Sequence, residues 1–105
     1  MNNIILVLIT CANMNEAQRI SRALVREKLC ACVNIVSGIK SVFWWQGKID
    51  SSPEVLLLAK SLKNKFAKIV KLVKSLHSYE VPEIIALPII AGEKKYLSWI
   101  RKSVK

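Results

Sequence analysis

Three stretches of this chain are apolar at almost every position: "IILVLI" near the start, "VLLLA" in the middle and "IIALPII" towards the end. A strand with one wet face alternates apolar and polar side chains, because successive residues point to opposite sides. Unbroken apolar runs belong instead to strands buried on both faces. Whatever fold the chain adopts must therefore cover its sheet twice. None of the runs approaches the roughly 18 residues of a membrane span. The first, Ile4 to Ala12, also lacks the preceding Lys or Arg of a signal peptide, so it reads as a buried strand.

Helical patterns lie between the runs. "ANMNEAQRISRALVREKL" places Ala17, Ile20 and Leu24 on one stripe, with Asn13 or Asn15 available as a cap. "LKNKFAKIVKLVKSL" puts Phe66, Ile69, Val73 and Leu76 on one side. A second extended stretch runs from about Cys32 to Trp45, interrupted near "VSGIK". It turns at Gln46-Gly47-Lys48 into a third strand, "EVLLLAK". Then "PEIIALPII" reads as a fourth strand, with Pro82 and Pro88 at its ends or on a sheet edge. "EKKYLSWIRKSV" closes the chain as a short helix.

The order β-α-β-β-α-β plus a C-terminal helix predicts an α+β, ferredoxin-like domain over residues 1–105. Its four-stranded antiparallel sheet carries both main helices on one face. The last helix is too short to shield the other face of strands about 17–20 Å long. A further copy of the same chain is the simplest cover, so an oligomer is expected. The segment "SVFWWQGKID" fits this expectation. Val42 and Trp44 face one way and Phe43 and Trp45 the other, one side for the chain's own core and one for a neighbour.

Seventeen Lys and Arg against seven Asp and Glu leave a net charge of +10, which attracts anions. Lys63, Lys65, Lys68, Lys71 and Lys74 line the second helix, and Arg19, Arg22 and Arg26 share a stripe on the first. An RNA-recognition motif has the same element order but stacks bases on aromatics of its first and third strands. Here those strands carry none, so a solvated basic face is expected rather than a specific nucleic-acid partner. A membrane-surface role is not expected either, because the apolar side of the second helix is needed by the core. Three cysteines, an odd count without a disulfide framework, point to a reducing, cytoplasmic setting. No phosphate-cradling glycine loop, no H-E-x-x-H and no residue placed to orient a Cys–His pair are present, so the chain is not expected to be an enzyme.

The segments "ACVNIVSGIKSVFWWQGKI", "EVLLLAKS", "LHSYEVPEIIALPI" and "YLSWI", in this order, resemble the CutA family of divalent-cation-tolerance proteins. The resemblance implies a ferredoxin-like subunit in a tight trimer, similar to the trimers of PII signalling proteins. It also implies a link to copper and divalent-metal tolerance, with copper binding by some members and no required cofactor. On this resemblance Cys32 and His77 are the metal-ligand candidates, a thiolate and an imidazole that suit copper or zinc. Cys30, at strand spacing from Cys32, is a weaker addition, and Cys11 matches no cysteine of the family. Trp44, Trp45, Lys60, Tyr79, Glu80 and Glu83 would line an intersubunit cleft for a metal or small anion, or supply interface hydrogen bonds. A small-ligand-sensing signalling trimer like the PII proteins is the alternative function. The chain departs from the family where Ala12-Asn13 replaces Pro-Asp, and where Ser37 and Ser78 stand at common proline positions.

Overall fold

A computed structural model describes residues 3–105. The elements are β1 (Ile4–Cys11), α1 (Met14–Arg26), β2 (Cys32–Trp45), β3 (Lys48–Leu62), α2 (Phe66–Leu76), β4 (Ile84–Pro88) and α3 (Lys94–Ser103). The strands form one antiparallel sheet in the order β2-β3-β1-β4. This is the predicted ferredoxin-like arrangement, with the unbroken apolar runs of β1 and β3 at its centre.

Local chemistry sets the boundaries. Asn13 caps α1 by accepting from the Glu16 N–H at 2.8 Å. The helix ends with Lys28 in the left-handed region (φ 57°), and Lys28 and Leu29 donate back to the Val25 and Leu24 carbonyls. That pairing satisfies two carbonyls left over at the helix end. Gln46 and Gly47 both have positive φ, as a two-residue hairpin turn requires for strands of right-handed twist. Gly38, at φ 78°, sits where the β2–β3 register shifts between Val36 and Ile39. An extra residue in one strand bends the hairpin there. The second helix begins at Phe66, the first residue of its apolar stripe, after residues 63–65 form a 3-10 turn.

Alternation divides the core. Ile5, Val7, Ile9, Leu57 and Ala59 point towards α1 and α2, where Ala17, Ile20, Leu24, Ile69 and Val73 bury completely. Phe66 and Leu76 pack against the same cluster. The opposite face presents Leu6, Leu8, Leu56, Leu58, Ile85 and Leu87. There α3 covers one end only, packing Ile100 and Leu97 with Ile4 and Leu62. Ile85 and Leu87 stay about half exposed.

The β2–β3 hairpin also outruns the sheet. Pairing of β3 with β1 stops at Val55, whereas pairing with β2 continues to Lys48. Residues 39–54 thus form a two-stranded arm that gives the molecule an extent of 44 Å along its longest axis. Trp44 is 73% exposed and Trp45 57% exposed on this arm.

Ile69→Ala is predicted to lower unfolding free energy by about 2–5 kcal/mol through the cavity it leaves. Lys68→Ala, on the exposed side of the same helix, should change it by less than about 0.5 kcal/mol. Urea titration of the two variants checks this.

Candidate functional site

The end of β1 makes the densest cluster of chemically active side chains. The ligand atoms of Cys11, Glu16 and His77 all lie within 4.8 Å of one another. Three elements converge to place them: the last residue of β1, the first turn of α1 and the residue just after α2.

Glu16 is the hub. Its Oε2 accepts from the Ala12 N–H at 2.8 Å and its Oε1 from the Ser78 N–H at 2.7 Å. The His77 Nε2 lies 3.8 Å from Oε2. Burial pushes this carboxyl up, but the bonds from Ala12 and Ser78 and the facing His77 overcome that push and hold it below the ordinary value. The imidazole is fixed at both nitrogens. The Tyr79 N–H donates to Nδ1 at 3.0 Å, and Nε2 lies 2.7 Å from the Thr10 carbonyl. An acceptor at Nδ1 and a carbonyl at Nε2 assign the Nε2–H tautomer. The Tyr79 hydroxyl in turn donates to Glu54 Oε2 at 2.9 Å. Burial, that bond and the Glu54 charge push its pKa up to about 12.

This cluster has metal-type residues without metal-ready chemistry. Burial, followed by the charges of Glu16 and Glu54, pushes the Cys11 thiol up to about 12, so a metal ion would have to displace its proton to bind there. A ligating histidine offers one nitrogen to the ion and donates from the other. Here Nδ1 already accepts from the backbone. The geometry suits a brace that ties segment 77–79 to the β1–α1 corner.

The residues singled out in the sequence fall elsewhere. Cys32 pairs with Lys60, which pairs with Leu6, so it lies on the face away from α1 and α2. His77 contacts Thr10, near the other end of β1. The Leu6 and Cys11 positions are five residues apart along that strand, about 17 Å. Cys32 and His77 of one chain therefore do not converge on a common ion. Cys30 does not share a strand face with Cys32, because β2 begins only at Cys32. Cys30 is instead buried in the helix-side core, where burial first, then the neighbouring Cys32, pushes its thiol up to about 12. The expected Cys-x-Cys pairing is corrected on that ground. Lys60 bonds Asn34 on the open face, Tyr79 bonds Glu54, Glu80 and Glu83 are exposed before β4, and Trp44 and Trp45 stand on the arm. One chain does not gather these six into a cleft.

Glu16, Thr10 and Glu54 were not singled out in the sequence. The usable signal was spacing: Asn13 followed three residues later by Glu16 is the pattern of a helix N-terminus whose two residues satisfy its first N–H groups. Nothing in the sequence ties that corner to His77.

Residues 5–103 match the model of the family described as CutA1 divalent ion tolerance protein. The chain belongs to this family. It is 48% identical over 97 residues to the divalent-cation tolerance protein CutA of Thermus thermophilus, covering 92% of this chain and 94% of that protein. The Archaeoglobus fulgidus CutA is 45% identical over 94% of this chain and 96% of its own length. The solved structure of the Thermus thermophilus protein superposes with a TM-score of 0.95 over 97% of this chain and 99% of that one, at 46% identity. Oryza sativa CutA1 superposes at 0.96 over 99% and 95%, at 42% identity. Against the chloroplastic rice protein the chain spans 57% of the relative's length. Relatives are described as chloroplastic and, in Archaeoglobus fulgidus, as periplasmic, so CutA proteins are named for more than one compartment.

The brace carries a pH dependence. Glu16 has a lowered folded pKa, so its contribution is complete above the ordinary value of 4.5 and is lost as pH falls through the folded value. Glu16→Gln should therefore cost about 1–3 kcal/mol at neutral pH. The gap to the parent chain should shrink steadily below pH 4.5, as read by chemical denaturation across pH.

Proposed function

We propose that this CutA-family chain acts in divalent-cation tolerance as a non-catalytic cytoplasmic homotrimer that contacts copper directly. The observation that carries the assembly is the arm of residues 39–54. A two-stranded hairpin is marginally stable by itself. This one carries exposed Trp44, Trp45 and Ile49 into solvent beside a sheet face that α3 leaves half open. Copies of the chain that lay their arms across one another's open faces bury both at once, and a closed ring of three leaves no copy with an unfilled face.

The copper contact is assigned to Cys32. Of the three cysteines, all free, it alone is not fully buried. Its soft sulfur favours Cu(I) over harder ions. His77, with both nitrogens engaged, is assigned to the brace rather than to the metal. Free cysteines support a reducing compartment, and among the described residues no helix is long and apolar enough to cross a membrane.

Trp45→Ala should weaken assembly more than Trp99→Ala, because Trp99 lies on α3 against its own chain's Tyr96, ring centroids 5.6 Å apart. Analytical ultracentrifugation over a dilution series reads the difference, and equal dissociation would remove the arm from the interface. Competition with a Cu(I) chelator should show binding that Cys32→Ser abolishes and His77→Gln spares. Unchanged affinity in Cys32→Ser would refute the copper assignment.

A further inference from the structure

Arg22 and Arg26 of α1 have no role in the brace or in the proposed assembly, yet they border a cleft. Between α1 and the edge strand β2 lies a cleft of about 520 Å³, lined by Gln18, Ser21, Arg22, Arg26, Val25 and the β2 residues Val33 and Ile35. It opens on the helix side of the sheet, away from the face assigned to the trimer. Its size is within the range of about 300–1,000 Å³ typical of small-molecule sites.

Three separate features of this cleft point to a ligand. Gln18, Arg22 and Arg26 follow one another at four-residue spacing and form a single exposed ridge. Among the described residues neither guanidinium has a carboxylate partner within ion-pair distance, the one such contact being His77 with Glu16. Ser21 lines the cleft at 6% exposure, and its Oγ has no hydrogen-bond partner. A buried hydroxyl left unpaired costs free energy that a bound acceptor would recover. The remaining wall is apolar and open: Val25 and Ile35 are both exposed and Val33 is half buried.

We propose that this cleft binds a small organic acid, its carboxylate on Arg22 and Arg26 and its apolar body against Val25, Val33 and Ile35. Two planar guanidiniums one helical turn apart match a carboxylate by paired N–H···O bonds. The Ser21 hydroxyl donates to the same group or to a polar atom beside it. An inorganic anion would use the arginines and leave the apolar wall wet, so the arrangement favours an amphipathic acid. This site is independent of the copper and trimer assignments.

Isothermal titration with octanoate, and separately with inorganic phosphate, tests it. The expected result is saturable octanoate binding, one per chain, with phosphate weaker by about tenfold or more. The R22Q/R26Q double variant should lose about tenfold in octanoate affinity, and Ser21→Ala about threefold. Both arginines are exposed, so circular dichroism melting should show the double variant folded as the parent chain is. K71Q/K74Q, on the basic face of α2, controls for the chain's overall positive charge and should bind octanoate as the parent does. No saturable binding, equal losses in K71Q/K74Q, or phosphate binding as tightly as octanoate would each overturn the proposal.

Discussion

The structure depends on a sheet whose two central strands are apolar on both faces. β1 and β3 send one set of side chains into a core sealed by α1 and α2, and a second, largely leucine set into the opposite face. Transfer of that second set from water is favourable at about 25 cal/mol per Å². Among the described residues α3, with the adjoining Ile89 and Val104, covers this face at the Ile4 end. The β2–β3 hairpin then extends as an arm with tryptophans on its flanks. An uncovered face and an unsupported arm are complementary deficits, and a symmetric assembly resolves both with one set of contacts.

A second constraint acts at the corner where β1 meets α1. Glu16 gathers donors from Ala12 and Ser78 and faces His77, so one buried carboxylate orients the helix start, the strand end and the chain leaving α2. A buried charge is tolerated only when its lone pairs are used, and here the carboxylate oxygens meet several fixed partners. Both imidazole nitrogens are occupied as well, so the corner is stiff, and its stiffness comes at the expense of the metal-binding capacity that a Cys–Glu–His set would otherwise have. The segment leading to β4 is thereby anchored, which fixes where the exposed Glu80 and Glu83 emerge.

The fold was legible because its signals are local and mutually consistent. The unbroken apolar runs, the stripes through Ile20 and Ile69, the Asn13 cap and the Gln46-Gly47 turn each name their element without reference to the rest. The site was less legible, since proximity in space depends on register. Cys30 and Cys32 look like strand neighbours, but whether they share a face depends on where β2 begins, and the strand starts too late to include Cys30. Cys32 and His77 share no local signal that would reveal their separation along the sheet. The contact of Cys11 with Glu16 and His77 needs the closing of α2 against β1, which no spacing in the sequence encodes. The unpaired Ser21 hydroxyl is likewise invisible until the helix is docked.

The proposed assembly treats one chain as an incomplete unit. Native mass spectrometry of the purified protein at low micromolar concentration tests this most directly. The account predicts a single dominant species of three chains, each of 11.9 kDa. A single-chain species persisting at that concentration would contradict it, since the open sheet face and the arm of residues 39–54 would then be stable in water without a neighbour.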